Sequence, residues 1–333
     1  MTKYGLYCSV AAPPDGSQIH ARIHEMIAEA KIAEAHGFQS MFFGEHHQDN
    51  DGFVPSPLLL AAAVAAQTNL EVGTSVLLLP LHHPVKVAED AAVVDLLSSG
   101  RLKLGVGIGY QESDFNQFQV SKSQRVERFT EGIEILRKCW TGERFSHESK
   151  HFQLKDIRVM PRPHASGGIP VWVGGIEPPA IARAARIGDG WVSAPSVTLE
   201  SVRESTRLYR EQAQANDRTA VVALMRDAWV AETREIAREQ YEEQIAGVYK
   251  YARSKGADTM KGVTDELSFD ELVRDRLIFG SPAECIEQLR MWKREIAPDY
   301  IIFRMRQVHS GGPAHTLVDR AIRMFGESVI PHV

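Results

Sequence analysis

Long stretches of one charge are missing from this 333-residue chain: 38 Lys and Arg and 43 Asp and Glu are interspersed, giving a formal net charge of -5. Nucleic-acid binders and proteins held to anionic membranes gather basic residues on one surface, so neither partner class is expected. Cysteine is scarce. Cys8, Cys139 and Cys285 stand far apart without a C-x-x-C pair, which argues against a disulfide framework and a thiolate metal site. Hydrophobic runs are short as well: the longest, Leu58 to Ala66, is far below the roughly 20 residues of a spanning helix. The first residues, MTKYGLYCSV, lack the apolar core of a signal peptide, so the cytoplasm is the expected compartment. There is no fixed-length repeat and no low-complexity tract, which argues against a solenoid. A dinucleotide fingerprint also fails: GVGIGY supplies Gly105, Gly107 and Gly109, but Tyr110 stands where G-x-G-x-x-G needs its last glycine.

What is present is 44% hydrophobic sequence, enough for a sizeable core, arranged in a regular alternation. Short apolar runs predict strands near residues 4–10, 38–43, 70–79, 102–108, 170–174, 191–194, 220–230 and 300–305. Helical spacing predicts helices between them, including 55–67, 84–98, 124–140, 180–187, 199–215, 232–252 and 282–296, with a closing helix over 314–325. Residues 144–162 alternate like a small hairpin. Eight strands, nearly all followed by a helix and with no linker, favour an α/β fold of the (β/α)8 TIM-barrel type with insertions over an open doubly wound sheet. Residues 1–333 are therefore expected to form one domain, with a mobile insertion over about 253–280. In such a barrel the active site lies at the C-terminal ends of the strands.

Gly44, Glu45, His46 and His47 directly follow the second predicted strand. Histidine titrates near neutral pH and can move protons or bond a ligand, so His46 and His47 are either catalytic or loop histidines satisfied by neighbours. No spaced ligand pair such as H-E-x-x-H accompanies them, and no metal is expected. His82 and His83 are read as loop residues. Gly73, within strand three, either lets a flat ligand approach the backbone or relieves crowding, and Thr74, Ser75 and Val76 follow it. Strand four ends in a glycine-lined segment with Ile108 and Tyr110. Gly174 and Gly175 end strand five ahead of Ile176, Glu177 and a helix opening on Pro178 and Pro179, a place where βα loops often take phosphate. Arg125, at the start of the helix after strand four, is either a phosphate clamp or a surface residue.

GEHH at 44–47, LEVGTSVLLLPLHHPVKVAED, SSGRLKLGVGIGY with DFNQF, PVWVGG, AARIGDGWV and the closing GESVIP together resemble the bacterial luciferase-like family of flavin-dependent oxidoreductases. The resemblance covers nearly the whole chain and is weakest over about 232–277. It implies a (β/α)8 barrel, commonly a homo-oligomer, that binds FMN or, in some branches, the deazaflavin F420. In the FMN branch a separate flavin reductase supplies reduced FMN, O2 reacts to give a C4a-peroxyflavin, and a small organic substrate is oxygenated. Carried over singly, His46 falls on the catalytic histidine and the Ser75–Val76 peptide on a non-proline cis bond beneath the flavin ring. Arg125 falls on a phosphate-binding arginine, and Ile176 and Glu177 on phosphate-loop positions. The chain departs from luciferase itself at Ile108, where that protein carries a second arginine, and at Glu177, where it carries a serine. Hydride transfer with F420 and flavin binding without turnover are the alternative activities that this resemblance leaves open.

Overall fold

The computed structural model describes residues 1–254, 268–307 and 312–333. Eight parallel strands close on themselves: β1 (Lys3–Cys8), β2 (Ser40–Phe43), β3 (Glu71–Thr74), β4 (Leu102–Gly107), β5 (Val171–Gly174), β6 (Gly190–Val192), β7 (Val222–Val230) and β8 (Tyr300–Arg304). Each pairs with the next, and β8 pairs with β1, with Tyr4 opposite Ile301 and Leu6 opposite Phe303. Closure leaves the barrel no free edge, and the near-continuous apolar strands suit a parallel sheet covered by helices.

The outer helices are α1 (Ile19–Ala35), α2 (Pro57–Ala65), α3 (Pro84–Leu97), α4 (Glu112–Gln117), α5 (Arg125–Trp140), α6 (Pro178–Ile187), α7 (Leu199–Ala215), α8 (Arg234–Ser254), α9 (Phe269–Arg276), α10 (Pro282–Ile296) and α11 (His315–Met324). Their inner faces and the outward-pointing strand residues form the main apolar core, including Phe43, Val72, Leu104, Trp191, Trp229 and Phe303. A second cluster fills the barrel itself: Phe42 stacks on Trp172 at 5.4 Å and Trp172 meets Tyr300 edge-on at 4.8 Å. Below these rings, the Glu71 carboxylate takes Lys3 Nζ at 2.8 Å and the Tyr300 hydroxyl at 3.0 Å, so the N-terminal end of the barrel is plugged. Open space is left to the C-terminal end.

The expected strands and helices are found close to their predicted bounds. The predicted third strand is split: β3 ends at Thr74, and a short extension, Leu77–Leu78, rejoins the sheet beside Val106 and Gly107. The hairpin forms from Phe145–Glu148 and Gln153–Ile157. Two elements were not foreseen. One is α4, inside what reads as a long loop, and the other is the stretch after residue 267, where Ser268 caps α9 in a capping box and Ile278–Gly280 pairs with the end of β7. Residues 255–267 of the expected mobile insertion lie outside the described residues.

Candidate active site at the C-terminal rim

A cavity of about 560 Å³ opens at the C-terminal ends of the strands, a size typical of cofactor and ligand sites. Every barrel strand but β2 and β3 contributes a wall residue of its own, and those two contribute through the loops that follow them. His46 and Val76 follow β2 and β3, Ile108 and Tyr110 follow β4, and Gly174 to Glu177 end β5. Tyr7, Val192, Met225 and Arg304 come from the other strands.

His46 is the member of the pair that faces this cavity. Its Nδ1 lies 2.9 Å from the Gln111 amide nitrogen and 3.3 Å from Asp114 Oδ2, both supplied by α4 and its cap. Asp114 is fully buried, and its other oxygen accepts the His47 backbone N–H at 3.2 Å. One carboxylate therefore orients both the ring and the backbone of the G-E-H-H turn. Tyr110 and Phe53 pack edge-on against the His46 ring at 5.6 and 5.7 Å. Burial pushes the Tyr110 phenol up to about 12, opposed mainly by its bond to Gln111, so it stays a neutral O–H. Tyr7, deeper in the cavity, is raised further by burial.

His47 and His82 turn the other way, onto Glu45. Glu45 Oε1 receives His47 Nε2 at 2.9 Å and His82 Nε2 at 2.6 Å, and Oε2 accepts the Leu78 N–H at 2.5 Å. Burial alone would raise this carboxyl, but the two histidine bonds, the His82 charge and the Leu78 amide outweigh it and hold it at about 2. The three ligand-type atoms of Glu45, His47 and His82 lie within 4.8 Å of one another, which the sequence did not show. Their contacts are hydrogen-bond lengths, whereas ligands about 2.1 Å from a tetrahedral zinc stand about 3.4 Å apart. The cluster ties the loops after β2 and β3 together, and His82 is a working member of it rather than a plain loop residue.

The wall beside His46 is backbone. The Ser75–Val76 peptide is cis, as the resemblance implies, and both residues line the cavity. A Cβ at Gly107 would sit 2.5 Å from Val76 Cγ2, and one at Gly174 would sit 3.2 Å from Val76 Cγ1, so the two glycines are what lets Val76 lie where it does. Thr74 is the one expected cofactor residue that does not reach the cavity. It is fully buried and its hydroxyl donates to the Gly105 carbonyl at 2.6 Å, because alternation along β3 turns it into the strand packing. Across the cavity, Arg304 makes a two-pronged pair with the buried Asp227, at 2.6 and 3.0 Å. Burial opposes the Arg304 charge, but Asp227 more than restores it and raises the guanidinium.

Arg125, Ile176 and Glu177 line one side together with Arg183, a residue of α6 that the sequence reading passed over. Arg128 does not make the i,i+3 pair with Glu131 that its spacing allows. Its Nε donates to the Pro80 carbonyl at 3.0 Å and it lies over the Phe152 ring.

The family model described as luciferase-like monooxygenase matches residues 2–299. The chain belongs to that family. Among its curated relatives, an F420-dependent glucose-6-phosphate dehydrogenase of Amycolatopsis mediterranei is 26% identical over 326 residues, covering 92% of this chain and 93% of that one. A 4-hydroxyprotoasukamycin monooxygenase of Streptomyces nodosus subsp. asukaensis is 27% identical over 275 residues, covering 78% and 74%. Among solved structures, the monooxygenase RslO1 of Streptomyces bottropensis superposes with a TM-score of 0.86 at 26% identity, covering 99% of both chains. The FMN-bound oxygenating constituent of a 3,6-diketocamphane monooxygenase from Pseudomonas putida gives 0.79 at 21% identity, covering 100% and 99%. This luciferase-like protein thus carries His46, Ser75, Val76, Ile108, Tyr110, Arg125, Gly174, Gly175, Ile176 and Glu177 around one cavity. Sequence reasoning missed Asp114, Gln111, Arg183 and the Asp227–Arg304 pair. The acidic first turn of α4 was the available signal for the first two; the ion pair joins residues 77 positions apart and left none.

Proposed function

We propose that this luciferase-like protein is the oxygenase component of a two-component flavin monooxygenase, taking reduced FMN from a separate flavin reductase and oxygenating a small organic substrate. His46 carries the reading: a histidine held at Nδ1 by Gln111 and Asp114, with its ring in the wall of a largely apolar cavity beside the Ser75–Val76 turn. The donor set fits a flavin. Gly107 and Gly174 let Val76 lie back in the wall against which a flat ring would rest, and the buried Nε atoms of Arg125 and Arg183 have no hydrogen-bond partner. Reduced FMN, when bound, supplies the two electrons that let one oxygen atom of O2 enter the substrate while the other leaves as water.

The chain's own residues do the rest. His46 gives or takes a proton at its ring, Tyr7 and Tyr110 offer neutral hydroxyls, and the apolar walls limit water. A cytoplasmic homo-oligomer fits the outer surface. No helix among the described residues is long and apolar enough to cross a membrane, and the neighbouring helices α2 and α3 expose Leu59, Val93, Leu96 and Leu97.

F420-dependent hydride transfer is the second reading, favoured by the near full-length likeness to the glucose-6-phosphate dehydrogenase. Anaerobic titration with reduced FMN and with reduced F420, followed by O2 and a substrate panel, separates the two. Oxygenated product formed from reduced FMN is the expected result, whereas F420 turnover under strict anaerobiosis overturns the proposal. His46→Ala is expected to keep flavin affinity within a few-fold and to slow product formation by about 10²–10⁴-fold; unchanged turnover removes His46 from the chemistry.

A further inference from the structure

The start of α6 looks, in sequence, like a helix N-terminus ready to bind phosphate through its amides. In the structure that capacity is already spent. Pro178 and Pro179 bring no N–H, and the next two amides, Ala180 and Ile181, both bond the Glu177 carbonyl, at 2.8 and 3.0 Å. Positive charge reaches this side of the cavity on side chains instead. Arg125 opens α5 and donates through Nη1 to the Lys122 carbonyl at 2.9 Å, which leaves its buried Nε without a partner. Arg183 lines the same cavity from α6, and its buried Nε is equally without a partner.

Arg183 has no carboxylate within ion-pair distance among the described residues. Its pKa is lowered by burial first and then by two further cations, Arg186 and Arg125. Two guanidiniums partly withdrawn from water and repelling each other are costly unless an anion joins them. The planar fork of arginine matches the oxygens of a phosphate, and a dianionic monoester gains most from two of them.

We propose that Arg183 is a second phosphate-binding residue, which with Arg125 clamps the terminal phosphate monoester of the flavin. The assignment rests on the flavin reading above and deepens it.

The test compares ligands that carry the phosphate with counterparts that lack it. FMN and riboflavin, and F420 and its phosphate-free deazaflavin precursor, are titrated by fluorescence into the wild-type chain and into Arg183→Gln. Wild type is expected to prefer FMN over riboflavin, and Arg183→Gln to lose FMN affinity by about tenfold to a hundredfold with riboflavin unchanged. Arg183 makes no hydrogen bond that holds the fold, and Arg183→Lys, keeping the charge without the fork, carries the same comparison with an intermediate loss. Equal losses for FMN and riboflavin, or no loss, overturn the clamp. If the wild type instead prefers F420 over its precursor and Arg183→Gln removes that preference, Arg183 holds the phosphodiester of a deazaflavin: its phosphate role stands, and the FMN reading with its monoester falls. A wild type indifferent to phosphate in both pairs overturns the clamp.

Discussion

At the residue scale, one ring nitrogen of His46 has two neighbours that ask for opposite protonation. The Gln111 amide nitrogen donates to Nδ1 as a lone pair, whereas Asp114 accepts from it as an N–H. Rotating the Gln111 amide would bring its oxygen, buried here without a partner, to the same nitrogen, and would move the ring proton from Nε2 to Nδ1. Asp114 thus acts as a positioning residue, since one of its oxygens meets the His46 ring and the other holds the His47 backbone. Asp114→Asn keeps the shape and removes the charge. It is expected to slow product formation by about tenfold while leaving flavin affinity within a few-fold. An equal loss of flavin affinity and of thermal stability, with turnover of the bound flavin unchanged, would leave Asp114 a purely structural role.

At the scale of elements, the segment from β3 through its Leu77–Leu78 extension and the adjacent end of β4 form a single unit. β3 ends at Thr74, bonded to the Gly105 carbonyl, and the chain then turns through Ser75 and Val76 into the cavity wall. Glycines in β4 are there for close approach: a Cβ on Gly105 would lie 2.0 Å from the Thr74 carbonyl oxygen, and one on Gly107 would meet only the Val76 side chain. The two positions predict different failures. A side chain at Gly105 collides with backbone and strikes the fold, whereas Gly107→Ala can be relieved by pushing Val76 outward. Gly107→Ala is accordingly expected to lower flavin affinity by about tenfold while destabilising the fold by no more than about 1–3 kcal/mol. Isothermal titration beside a thermal melt checks both halves, and a large stability loss with intact affinity would contradict the assignment.

For the whole molecule, the barrel's two ends divide the work. Glu71, Lys3 and Tyr300 seal the N-terminal end, and the C-terminal end carries loops that need their own fastening. Glu45 provides one fastening, since it joins the loop after β2 to Leu78 and His82 beyond β3. Its carboxyl is held at about 2 against an ordinary 4.5, so the stabilisation is complete above about pH 4.5 and is lost as the pH falls toward 2. The linked free energy is on the order of 3 kcal/mol. Glu45→Gln is therefore expected to melt lower than wild type at neutral pH, with the gap narrowing as the pH is lowered through 4.5 toward 2. Parallel melts at neutral and acid pH measure it, and a gap that stays constant would show that the charge is not what matters.

The eight strands and most helices were legible because their cause is local: apolar runs of strand length, helical spacing of Val126, Phe129, Ile133 and Leu136, and glycine or proline at the joins. The cavity rim followed from the barrel, and with it His46, whereas the Ser75–Val76 turn and the role of Arg125 were legible only through the family resemblance. Local pattern could not assign the partners. Which histidine of the G-E-H-H turn faces the cavity depends on Asp114, some seventy positions away, and which faces inward depends on Glu45 and His82. Thr74 and Val76 are two residues apart, yet one is spent on strand packing and the other lines the cavity, because the chain leaves the sheet between them. Sequence by itself determined that a parallel barrel forms and where its reactive end lies, since strand and helix formation need only neighbours in the chain. Tertiary structure alone decided which charges meet, as with Asp227 and Arg304, and which stay unmatched, as with Arg125 and Arg183, because a charge's partner is set by distance in space.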